Sequence, residues 1–80
     1  MPTVLRHGGY RFFFYSDEGK PREPPHIHIS SGNKVAKFWL DPVGFASSKH
    51  LMAPEINALN KLVTEDRLLF LEAWHAYFDT

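Results

Sequence analysis

The stretch HIHISSGNKVAKFWL, residues 26–40, decides the fold of this chain. Its first five residues, HIHIS, alternate strictly between polar and apolar side chains. In a β-strand, this alternation places Ile27 and Ile29 on one face and His26 and His28 on the other. The sequence therefore predicts a strand with one face suited to a core and one face that carries two imidazoles.

The second half of the stretch alternates again, after a turn at Ser31-Gly32-Asn33. One face of this second strand carries Ala36, Phe38 and Leu40. The other face carries Val35, Lys37 and Trp39. The two halves together predict a β-hairpin whose apolar residues share one side.

The segments before the hairpin extend the sheet. Tyr10–Tyr15, YRFFFY, is rich in strand-favouring aromatic residues and is typical of a central strand. Thr3–Arg6 is a short run that ends near Gly8-Gly9, which predicts an edge strand and a tight turn. Residues 16–25 contain three prolines and five charged residues, so they are expected to form a solvated loop.

Two helices are predicted in the C-terminal part, at about residues 54–63 and 67–78. Pro54 suits a first helical turn, and Glu55 beside it interacts favourably with the helix dipole. Apolar stripes follow in both segments. Ahead of them, Val43–Ala46 is expected to add only a short piece of edge structure.

Strands followed by helices indicate an α+β fold. We expect a small antiparallel sheet of three to four strands over about residues 3–40, with both helices packed on the face that carries Ile27. Eighty residues support one core, so residues 1–80 are expected to form a single domain.

Amino-acid composition limits the cellular compartments and the classes of protein that fit this chain. The chain has no cysteine, which excludes disulfides, thiolate metal sites and cysteine nucleophiles and fits a reducing compartment. No stretch has the length of a signal peptide or a membrane span, so we expect a cytoplasmic protein with no membrane partner. The formal net charge of the chain is zero. This argues against a protein that binds duplex DNA through many phosphate contacts.

Charge is nevertheless unevenly distributed along the chain. Residues 1–50 hold seven Lys or Arg against four Asp or Glu, and residues 51–80 hold two against five. The part that forms the predicted sheet is therefore net positive, and the helical part is net negative.

Several motifs together resemble a bacterial family of small proteins classed as a domain of unknown function. They are the MPT start, GGYRFFFYS, PPHIHI, AKFWL followed by a proline, and the C-terminal AWHAYF. Genes of that family often stand beside another short gene, in a toxin-antitoxin-like arrangement. The resemblance implies a small co-encoded protein as the partner, and it supplies no catalytic residues.

The sheet face opposite the predicted helices is the candidate binding face. Six residues define it in the sequence: Arg11, Tyr15, His26, His28, Lys37 and Trp39. Our main hypothesis is a non-enzymatic, protein-binding component of a two-gene regulatory or toxin-antitoxin-like module. A homodimer through the same exposed aromatic residues is an alternative.

Two further hypotheses use the same face. Two histidines at positions i and i+2 of a strand lie about 6.5–7 Å apart at Cα, so His26 and His28 are candidate ligands for a divalent metal such as zinc in a hydrolase or RNase. A third ligand is needed, and the candidates are His7, Asp17, Glu18, His50 and His75. Alternatively, the aromatic and basic residues bind single-stranded RNA by stacking bases and pairing with phosphates.

Overall fold

The structure, a computed structural model, describes residues 3–16 and 23–78. Its elements are β1 (Thr3–His7), β2 (Tyr10–Phe13), β3 (His26–Ser31), β4 (Lys34–Leu40), β5 (Val43–Lys49), α1 (Ala53–Glu65) and α2 (Arg67–Phe78). The strands form one antiparallel sheet in the order β1-β2-β3-β4-β5. The predicted α+β architecture is confirmed. Within the described ranges, neither helix is long and apolar enough to cross a membrane.

The sheet has five strands, so the prediction of three to four was too low. The additional strand is β5, which runs on to Lys49, whereas the sequence indicated only a short edge piece at Val43–Ala46. Its polar second half, Ser47–Lys49, resembles a loop in composition. The backbone of this half nevertheless pairs with β4, because a strand at a sheet edge does not need buried side chains on both faces.

The β1–β2 hairpin is closed by a two-residue turn at Gly8 and Gly9, with φ angles of 58° and 81°. Two-residue turns of this kind need positive φ at both central positions, which glycine adopts at little steric cost. The turn aligns Arg6 with Arg11 across the strand pair.

The core lies between the sheet and the two helices, as the hairpin pattern predicted. Ile27, Phe38 and Leu40 are fully buried. The helices contribute Leu59, Val63, Phe70 and Trp74. The ring of Phe70 stacks on that of Phe12 from β2, with the centroids 5.4 Å apart.

A polar cluster ties α1 to the sheet at one side of this core. Glu55 accepts hydrogen bonds from Lys34 Nζ, at 2.8 Å, and from the Tyr10 hydroxyl, at 3.1 Å. The hydrogen bond from Lys34 lowers the pKa of Glu55, and the hydrogen bond from Tyr10 acts in the same direction. The same carboxylate raises the pKa of Lys34. The cluster joins β2, β4 and the first turn of α1.

Candidate binding face of the sheet

The open face is the side of the sheet that the helices leave uncovered. Directly paired residues of an antiparallel sheet share a face, so the register defines two rows of side chains that cross all five strands. The first row is Thr3, Phe13, His28, Lys37 and Ser47. The second row is Arg6, Arg11, Ser30, Val35 and Lys49.

Aromatic rings pack against one another in the first row. The ring of His28 stacks on that of Phe13, with the centroids 5.7 Å apart, and meets that of Tyr15 edge-on at 4.6 Å. Phe13 is buried, whereas Tyr15, just beyond β2, is 40 % exposed. Tyr15 and His28, both predicted for the binding face, are therefore in direct contact.

Cations lie over two of the rings. The guanidinium carbon of Arg11 is 4.3 Å from the centroid of Phe13, and Nζ of Lys37 is 4.6 Å from the centroid of Trp39. Arg11 Nε also donates a 2.8 Å hydrogen bond to the Thr3 hydroxyl. Cation–π contacts of this kind hold flexible basic side chains close to the sheet surface.

Charge divides the described part of the molecule by layer. The five described strands contain no Asp or Glu. The open face carries four basic side chains: Arg6, Arg11, Lys37 and Lys49. The helical layer is net acidic, because it carries Lys61 and Arg67 against four acidic residues: Glu55, Glu65, Asp66 and Glu72. The uneven charge seen along the sequence thus becomes a cationic sheet face opposite an acidic helical layer.

His26 does not lie on the exposed surface that its alternation with Ile27 predicted. It is fully buried, and its ring lies 4.9 Å from that of Trp74 and 5.6 Å from that of Trp39. Its Nδ1 donates a 3.0 Å hydrogen bond to the carbonyl oxygen of Pro24. The physical reason is its position: His26 is the first residue of β3, at the end of the sheet that α2 covers through Trp74.

The described residues provide no third ligand for a metal site at His26 and His28. The rings of His26 and His28 are 5.1 Å apart and nearly perpendicular. Across residues 3–16 and 23–78, no group of three or more His, Asp or Glu side chains is arranged to hold a metal ion. Asp17 and Glu18 lie outside the described residues. Metal binding stays a prediction.

Sequence reasoning did not assign several residues to the open face, among them Arg6 of β1 and Ser47 and Lys49 of β5. A bulge between β4 and β5 sets Lys37 opposite Ser47 but Phe38 opposite Phe45. The extra residue in β5 moves Phe45 to the helix side, where its ring meets that of Phe38 at 5.7 Å. Simple alternation would have placed Phe45 beside Ser47, so the only available signal was misleading.

These features define a class: a small α+β domain whose meander sheet is covered by helices on one side and presents basic and aromatic side chains on the other. The chain belongs to the family described as "Domain of unknown function (DUF4160)", which matches residues 9–75. No curated protein and no solved structure gives a significant match to it.

Proposed function

We propose that this protein is a non-catalytic binding protein that engages a small partner protein through the open face of its sheet. The observation that carries the proposal is the charge of that face: four basic side chains, with no acidic residue in the five described strands. Such a surface favours an acidic partner and repels a basic one, which gives specificity and speeds association.

The aromatic side chains suit the same role. Tyr, Trp and Arg are the residues that most often dominate binding energy at protein interfaces, and the face presents Tyr15, Trp39 and Arg11. The contact of Tyr15 with His28 and the contact of Arg11 with Phe13 restrict these side chains before binding. Less conformational entropy is then lost when a partner docks.

The partner we propose is the short protein encoded beside this one, as the family resemblance implies, within a bacterial regulatory or toxin-antitoxin-like pair. An acidic segment of that partner would lie across the two cross-strand rows. Because the attraction involves exposed charges, the complex should weaken as salt is raised.

Co-expression with the neighbouring gene product tests the proposal. We expect a complex that survives size-exclusion chromatography at low salt, with an affinity measurable by calorimetry that falls at 0.5 M salt. A protein that elutes alone at both salt concentrations, with no heat of binding, would overturn the proposal.

Single-stranded RNA binding is a second candidate function, and one observation favours it. Lys37 lies over Trp39, so a positive charge and a stacking ring occupy adjacent positions on an open sheet, as in sheets that stack bases and neutralise phosphates. The two candidate functions are tested with different ligands, because RNA binding is measured in the absence of any protein partner.

A further inference from the structure

A cavity of about 300 Å³ opens on the sheet face, beside the end of β2 and over β4 and β5. Its polar lining consists of Tyr15, His28, Lys37, Ser47, Ser48 and Lys49. Cavities that hold small molecules start at about this volume. The space is therefore large enough for one small ligand.

The lining is positively charged and rich in donors. Among the described residues around the cavity, two carry full positive charges, Lys37 and Lys49, and none is acidic. Ser47 lies directly opposite Lys37, and Lys49 is two residues further along the same strand. Diagonal neighbours on an antiparallel pair are about 7–8 Å apart. Lys49 and, once its ammonium leaves the ring of Trp39, Lys37 can therefore both reach one ligand group lying above Ser47.

We propose that this cavity binds the phosphate group of a small phosphorylated molecule. Lys37 and Lys49 supply two positive charges for a dianion, and the Ser47 hydroxyl donates to one of its oxygens. A carboxylate carries a single negative charge and matches this pair of lysines less well. The ring of Tyr15 at the rim offers an apolar surface to the rest of the ligand.

This site goes beyond the proposed partner binding, although it shares Tyr15, His28, Lys37, Ser47 and Lys49 with the open face. A bound phosphate would neutralise part of the charge that attracts an acidic partner. The ligand and the partner are therefore expected to compete for the face.

The test is a titration of the folded protein alone, at low salt, followed by amide chemical shifts in NMR spectra. The probes are inorganic phosphate, adenosine 5′-monophosphate and adenosine. We expect saturable shifts at Lys37, Ser47 and Lys49 with both phosphate probes and none with adenosine. Equal affinity for the two phosphate probes would identify free phosphate as the ligand, and tighter binding of the nucleotide would identify a phosphorylated small molecule.

Matched variants complete the test. Lys37→Gln with Lys49→Gln should weaken phosphate binding at least about tenfold, since hydrogen bonds to charged groups each contribute on the order of a tenfold change. Lys49→Gln alone should also weaken binding, whereas Lys61→Gln removes the same charge outside the cavity and should retain affinity. Ser47→Asp, at an exposed position of β5, places a negative charge in the cavity and should abolish binding even if the lysine variant fails to fold.

Two results would overturn this site: adenosine binding as tightly as its monophosphate, or equal losses in Lys49→Gln and Lys61→Gln. Both measurements are made without a partner protein. The cavity can therefore fail while the proposed partner binding holds, and the reverse is also true.

Discussion

The imidazole of His26 packs against the indole of Trp74, with 4.9 Å between the ring centroids. This contact joins the first residue of β3 to the second helix. It gives two neighbouring histidines different roles, because His26 is fully buried whereas His28 lies half-buried on the open face.

Replacement of each histidine by alanine should separate these roles. His26→Ala removes a buried ring and its hydrogen bond to Pro24, and should lower the free energy of unfolding by about 2–4 kcal/mol. His28→Ala is the matched control and should cost only about 1 kcal/mol. Urea unfolding followed by tryptophan fluorescence measures both values, and equal losses would show that His26 is not part of the core.

The sequence predicted the sides of the sheet well wherever strands keep an unbroken period of two. Ile27, Phe38 and Leu40 were assigned to the helix side from alternation alone, and all three are buried there. The same rule gave His26 its correct face, beside Trp39, but not its burial. Alternation cannot indicate that a distant helix covers one end of that face.

The candidate site was predicted in part, and the residues missed include Arg6 in β1 and Ser47 and Lys49 in β5. The residues that were predicted lie in segments with strong aromatic or alternating patterns: Arg11, Tyr15, His28, Lys37 and Trp39. Ser47 and Lys49 occupy a polar edge strand whose register is shifted by a bulge. A bulge depends on how the backbone pairs with the neighbouring strand, so no local sequence pattern predicts it.

The cluster around Glu55 should make stability depend on pH. The pKa of Glu55 is lowered in the folded protein, chiefly by the hydrogen bond from Lys34. A lowered carboxyl pKa stabilises the fold above the ordinary value of 4.5, and this contribution is lost as the pH falls through the folded value. The wild type should therefore lose stability below about pH 4.5 more steeply than Glu55→Gln.

Urea unfolding at several pH values between 3 and 8 measures this difference. Glu55→Gln should be less stable than the wild type near neutral pH, and the two curves should converge in acid. Glu72→Gln, at an exposed position of α2, is the control and should follow the wild type throughout. A constant gap between the wild type and Glu55→Gln at every pH would contradict an electrostatic origin.

Charge reversal on the open face should disrupt partner binding without unfolding the protein. Arg11→Glu places a negative charge in the second cross-strand row, and should weaken the complex with the co-encoded protein at least about tenfold at low salt. Lys61→Glu makes the same charge change on α1 and should have little effect. Calorimetry measures the affinity of both variants for the partner. Equal weakening would show that the interface does not lie on the open face of the sheet.

Single-stranded RNA binding predicts a distinct combination of salt dependence and stacking. If all four basic residues of the open face contact phosphates, the logarithm of the association constant should fall against the logarithm of salt with a slope of about −3. Trp39→Ala should cost about 1–3 kcal/mol of binding energy, because it removes a stacking surface. Trp39→Phe keeps an aromatic ring and should retain most of the affinity. Fluorescence polarisation with a labelled oligouridine measures all three quantities, and an affinity that is independent of salt and of Trp39 would leave the protein partner as the ligand of this face.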